Sequence, residues 1–185
     1  MRILILVTLA LASLTPAIAS DAPGNIATEE IAMQPEPQWR FFTDQVMGGQ
    51  STGQATMTTD ADTPFVRMTG QVSTANRGGF IQIRLDLPGP APANTEGIRL
   101  VVRGNNQRYF VHLRTSGTRL PWQYYQAGFE VTENWSEIRL PFESFVASGA
   151  LLRKVPSASS LKSAAVVAYG RDHEALIDVQ ALGFY

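Results

Sequence analysis

From Trp39 onward the chain is built on a two-residue period. Residues 65–72 alternate apolar and polar side chains, and residues 80–87 place Ile81, Ile83, Leu85 and Leu87 on one face against Gln82, Arg84 and Asp86 on the other. Between Arg108 and Thr115, Tyr109, Val111 and Leu113 share one side, while Arg108, Phe110, His112 and Arg114 share the opposite one. Successive side chains of a strand point to opposite faces of a sheet, so these runs predict strands with one face in a core and one face wet. Residues 97–103, 122–131, 135–140, 164–169 and 175–184 complete the set. Turn-forming residues separate the runs at Gly48-Gly49, Gly78-Gly79, Pro88-Gly89-Pro90, Gly104-Asn105-Asn106 and Thr132-Glu133-Asn134. Short, evenly spaced strands with such punctuation predict an all-β antiparallel sandwich or barrel and exclude a parallel sheet fed by helices. No amphipathic stretch is long enough for an ordinary helix; residues 141–145 and 157–161 can each hold one helical turn.

The N-terminus follows another logic. One positive charge at Arg2 precedes the apolar run Ile3 to Leu14, and Ala17-Ile18-Ala19 supplies a small-x-small cleavage site. This is the layout of a secretory signal peptide over residues 1–19, and its apolar run is too short to span a bilayer. The expected mature chain is therefore exported, periplasmic or secreted, with no transmembrane segment after cleavage. Residues 20–38 carry Asp21, Glu29, Glu30 and Glu36 with no basic residue, and read as an acidic, proline-containing leader ahead of one domain at 39–185. The domain is large enough for a sizeable core.

Composition narrows the chemistry. The chain has no cysteine, so an exported protein must here rely on packing without disulfides, and thiol chemistry and cysteine-based zinc sites are excluded. A formal net charge of −1 gives no sign of a nucleic-acid partner. The cations are mostly arginines, Lys154 and Lys162 being the only lysines. Arginine offers a planar fork for carboxylates and stacks on aromatic rings.

Several motifs in order carry a resemblance. Residues 39–53 (WRFFTDQVMGGQSTG) open the domain, Asn76-Arg77-Gly78-Gly79-Phe80 leads into the strand ending at Arg84, and Tyr109 to Thr115 is followed by Pro121-Trp122-Gln123-Tyr124-Tyr125. Trp135 to Phe142 then leads to Phe145, and the last strand closes on Gly183-Phe184-Tyr185. Together they resemble the complex I intermediate-associated protein 30 family, over essentially the whole body of the chain. The resemblance implies a galactose-binding-like jelly roll and a role as an assembly chaperone of respiratory NADH:ubiquinone oxidoreductase. Mitochondrial members act on the matrix side, whereas a signal peptide sends this chain across a membrane, so fold carries over better than client.

The candidate site residues follow from loop and strand positions. Asp44 can accept from backbone N–H groups two residues on, and Met47, Gly48 and Gly49 complete a loop that either closes one end of the sandwich or binds there. Arg84, His112, Arg114, Trp122 and Tyr124 would form an Arg/aromatic platform if they share an open sheet face, with Trp122, Tyr124 and Gln126 expected on one side of a strand. Gly49-Gln50-Ser51-Thr52-Gly53 matches G-x-S-x-G, but the residues after Ser51 are strand-like where a nucleophile elbow needs a helix. His112 and His173 are the only histidines, and neither lies at metal-ligand spacing; each is expected in solvent. Asp44, Asp60, Asp62 and Asp172 form no compact calcium-ligand run. The sequence thus points to no catalytic set, no metal and no cofactor. It suggests a binding module whose partner is a protein client, possibilities including respiratory complex subunits, or alternatively a glycan.

Overall fold

Alternating side chains place the same surface of every strand inward. In the computed structural model, which describes the backbone of residues 30–31 and all of residues 39–185, twelve strands result. They are β1 (Glu30–Ile31), β2 (Trp39–Thr43), β3 (Thr52–Asp60), β4 (Thr63–Val72), β5 (Phe80–Asp86) and β6 (Gly97–Gly104). The chain continues through β7 (Arg108–Thr115), β8 (Tyr125–Glu130), β9 (Ser136–Pro141), β10 (Val146–Ala147), β11 (Leu161–Tyr169) and β12 (His173–Phe184). One sheet runs β3-β4-β12-β6-β9 with β1 also on β12; the other runs β10-β8-β7-β11-β5-β2, and all pairings are antiparallel. Short 3-10 turns at Phe142–Ser144 and Ala158–Ser160 occupy the two places where one helical turn was expected. No helix among the described residues is long and apolar enough to cross a membrane.

The core lies between the sheets. Ile81, Ile83, Leu85, Tyr109, Val111 and Leu113 face Met68, Ile98, Leu100, Val102, Ile177 and Val179 in one contiguous apolar cluster. The expected signal peptide at 1–19 lies outside the described residues, as does most of the 20–38 leader. Within that leader, Glu30 and Ile31 pair with Gly183 and Leu182. The reason is geometric: β4 pairs with β12 only as far as Val179, leaving the backbone beyond it without a partner on that side. The expected strand 122–131 begins instead at Tyr125. The Gln123 side-chain oxygen accepts from the amides of Arg119 and Leu120, folding residues 119–124 into a turn and leaving Trp122 off the ladder.

Two buried carboxylates hold one end of the sandwich and one outer face. Asp44, with no exposed surface, accepts from the Ser51 amide at 2.9 Å, the Ser51 hydroxyl at 2.5 Å, and the amides of Gly79 at 2.5 Å and Phe80 at 3.2 Å. It therefore binds segments seven and about 35 residues away, while the amide next to it, that of Gln45, donates to the Thr43 hydroxyl at 3.2 Å. A Cβ at Gly49 or Gly78 would overlap the Asp44 carboxylate, so glycine is required there for close approach, while Gly48 supplies the left-handed turn at φ 87°.

On the outer face of the β3-β4-β12-β6-β9 sheet, Asp178 is buried beneath two guanidiniums. Arg67 binds it through both oxygens at 2.7 and 2.8 Å, and Arg103 donates at 2.8 Å and reaches Asp60 at 3.1 Å. Arg103 stacks on Trp135 at 4.5 Å, and both arginines cover Phe65, which is buried although it points away from the core.

Burial alone would raise both carboxyls; hydrogen bonds from Ser51, Gly79 and Phe80 hold Asp44 low, and Arg67 and Arg103 hold Asp178 low. A carboxyl depressed in the folded state stabilises fully above its unfolded value of about 4 and less as pH falls through its folded value. Asp44→Ala, which strands several buried donors, is expected to cost about 2–4 kcal/mol in urea unfolding at pH 7. Asp178→Ala, which leaves two guanidiniums facing each other, is expected to cost a similar amount, about 2–4 kcal/mol. Both penalties should shrink when the same titrations are run below pH 4; a penalty independent of pH would contradict the assignment.

Candidate binding face

The β10-β8-β7-β11-β5-β2 sheet turns its second surface away from the core, and the register sets what lies there. One row crosses all six strands as Arg40, Arg84, Ala165, His112, Gln126 and Val146. The next row reads Phe42, Gln82, Val167, Phe110 and Gly128. Central strand β11 contributes the small outward side chains Ser163, Ala165 and Val167 before it ends on the outward Tyr169, and Ala165 and Val167 are buried on that side as well as toward the core. A continuous apolar run such as Ala164 to Ala168 is what a strand covered on both faces requires.

Rings form most of this cover. His112 stacks on Tyr124 at 4.1 Å with 10° between planes, and meets the edge of Tyr169 at 5.6 Å. Tyr169 in turn packs edge-on against Phe110 at 6.0 Å. His112 Nε2 donates to the Gln126 side-chain oxygen at 2.8 Å. Burial drives the imidazole down to about 4 against the weaker opposing pull of that hydrogen bond, so it is neutral at ordinary pH. Burial and a hydrogen bond with Tyr169 raise the Tyr124 phenol well above its usual range. His112, expected to be solvated, is thus packed between two tyrosines; His173 is half-buried, its Nδ1 donating to the Arg171 carbonyl at 2.8 Å.

The face gathers some candidates and not others. Arg84, His112, Arg114 and Tyr124 all lie on it. Arg114 is already spent: its terminal nitrogens donate to the carbonyls of Thr118, Leu120 and Pro121 at 3.0–3.2 Å, pinning the loop that carries Trp122. Trp122, not on a strand face as expected, is 66% exposed beside the sheet edge, held there by Ser148, whose hydroxyl donates to its carbonyl at 3.0 Å. Leu120 and Val146 are exposed in the same region, and Leu151 is exposed in the loop after β10. Met47 and Gly48 are exposed at the far end, near Phe80, while Gly49 is pressed against Asp44, which has no surface to offer a ligand. Arg40, Phe42, Phe110, Gln126 and Tyr169 belong to the face although sequence reasoning did not single them out as site residues.

Ser51 is fully buried, its hydroxyl bonded to Asp44 and accepting from the Ser73 amide at 3.0 Å, and strand β3 follows it. That is a tie between loops and lacks the exposed turn into a helix that a nucleophile elbow needs. Among the described residues no three His, Cys, Asp or Glu side chains gather to hold a metal ion. Asp60 bonds to Arg103 and Asp172 to Thr74.

Comparison with known proteins places these features in context. The chain shares its fold with the family 11 carbohydrate-binding module of the cellulosomal cellulase Lic26A-Cel5E of Clostridium thermocellum, at 10% identity and a TM-score of 0.70 over 87% of this chain and 95% of that one. A family 11 module from the same organism, solved in complex with a β-1,3-1,4-mixed-linked tetrasaccharide, aligns at 11% identity and a TM-score of 0.65 over 82% and 91% of the two chains. The fold is therefore a jelly-roll sandwich of the galactose-binding-like type. No curated sequence matches the chain. The family model for complex I intermediate-associated protein 30 matches residues 29–170, and the chain belongs to that family.

Proposed function

We propose that this protein is a non-catalytic recognition module that acts outside the cytoplasm and binds a protein client through the Arg/aromatic face and its β8–β10 margin, as an assembly or scaffolding factor. The observation that carries this reading is the exposed group of Trp122, Leu120 and Val146 bordering that face. A large aromatic beside arginines and aliphatic side chains is the composition of protein hot spots. Family membership supports an assembly role, with respiratory complex subunits as one class of client, and the charge–apolar–small pattern of residues 1–19 supports export.

The second reading, a carbohydrate-binding module, is favoured by the fold shared with a module bound to a mixed-linked tetrasaccharide. Sugar rings stack on open aromatic faces. Here Tyr124 gives one ring face to His112, and Tyr169 and Phe110 pack against each other, which weighs toward a protein partner.

Affinity capture from envelope extracts with the wild type and with Trp122→Ala is expected to recover one discrete protein that the variant loses by tenfold or more, while neutral glucans at millimolar concentration leave the protein's spectra unchanged. Saturable glucan binding that Trp122→Ala abolishes would replace the protein client with a sugar.

The face should also be sensitive to acid. Folded His112 titrates near 4 against about 6.5 when unfolded, so the unfolded chain gains a proton first as pH falls. Its contribution is complete above pH 6.5 and fades toward pH 4, a loss of roughly 3 kcal/mol. His112→Gln is expected to flatten that part of the stability–pH curve; an unchanged slope would contradict a buried neutral imidazole.

A further inference from the structure

The two outer faces spend their arginines differently. On the β3-β4-β12-β6-β9 sheet, Arg67, Arg99, Arg103 and Arg139 each donate a hydrogen bond to Asp178, Glu137 or Asp60. On the opposite face, Arg40 takes Asp86 and Arg114 takes three backbone carbonyls. Arg84, between them on β5, makes no hydrogen bond to any described residue. Its nearest carboxylate oxygen, on Asp86, is 3.9 Å away, its Nε is buried without a partner, and its side chain is only 22% exposed. Its guanidinium carbon lies over the Phe42 ring, 4.5 Å from the ring centre. Burial lowers its proton affinity, and the charges of Arg40 and Arg114 lower it further against the pull of Asp86, so the local field is short of negative charge.

A half-buried guanidinium without acceptors is costly to keep, and a planar fork held by an aromatic ring is shaped for a bidentate carboxylate. The outward positions of β2, β5, β7 and β8 carry Arg40, Arg84, Arg108 and Arg114 against only Asp86 and Glu130, an excess of positive charge that favours the same class of ligand. We infer that Arg84 is a carboxylate-anchoring subsite and that the face takes an acidic peptide segment, an Asp or Glu side chain of the partner seating on Arg84 beside Phe42. This rests on the protein-client reading and adds the chemistry by which that client is chosen.

The test follows the Arg84 Nε–H signal of the purified protein by NMR at constant ionic strength. The probes are acetyl-Glu-Phe-Glu-amide, its Gln-Phe-Gln counterpart and a uronic-acid disaccharide. The expected result is a saturating Arg84 shift with the acidic peptide and at least fivefold weaker binding of the glutamine peptide. Arg84→Lys, which keeps the charge and loses the fork, should bind the acidic peptide at least fivefold more weakly, and Arg139→Gln, on the opposite outer face, should bind it normally. Arg84→Gln is expected to hold or raise the thermal midpoint, since it removes a half-buried cation that makes no hydrogen bond. Equal shifts from both peptides, a response to the uronate alone, or a lowered midpoint with peptide binding intact would each overturn the proposal. Client capture that survives in Arg84→Gln would overturn it while leaving the protein-client reading in place.

Discussion

Alternation across the pleat is the constraint from which the rest of the molecule follows. A strand that gives every second side chain to the core must give the others to the outside, so a two-sheet sandwich has one interior and two exteriors. The interior is met by Ile81, Ile83, Val111, Leu113, Ile98, Leu100 and their neighbours, with no disulfide to assist. The exteriors are where sequences of one fold diverge. Here one is closed by matched charges over Phe65 and Trp135, and the other by rings and arginines over Ala165 and Val167.

That difference gives the second exterior its character. Asp178 lies beneath Arg67 and Arg103 as a satisfied network, with nothing left to offer a partner. The other face has a packed floor of neutral His112 between Tyr124 and Tyr169, an arginine without acceptors, and exposed apolar groups along its margin. In the proposed role, a rigid floor holds its side chains in place before the partner arrives, which limits the ordering cost of binding. The Asp44 tie, linking the loop after β2 to Ser51, Gly79 and Phe80, fixes the far end of the same sheet, so this loop serves the site by holding β2 and β5 in place.

Much of this was legible in the sequence, because period-two patterns survive in any strand with one wet face. The inward and outward sets of residues 80–87 and 108–115 are those the alternation predicts. What the sequence withheld was adjacency. Nothing local says that β11 inserts between β5 and β7, and only that insertion brings Arg84, His112 and Tyr169 to one surface. The role of Asp44 was hidden similarly, since its donors at Gly79 and Phe80 come from another strand's start. Arg84 and Arg114 looked equivalent as outward arginines. Their difference arises from a turn at residues 115–121 that bends back to occupy one and not the other. Trp122 was placed on a strand because an aromatic-rich run reads as β; the buried Gln123 side chain, bonding two amides behind it, ends the ladder first.

The central claim is that recognition takes place on one outer face and not on the other. A photoreactive residue placed singly at Gln82, on the ring-and-arginine face, and at Thr69, on the opposite sheet's exterior, tests this in cells under ultraviolet light. The account expects a discrete protein adduct from position 82 and none from position 69. An adduct from position 69 with none from position 82, or equal adducts from both, would contradict it.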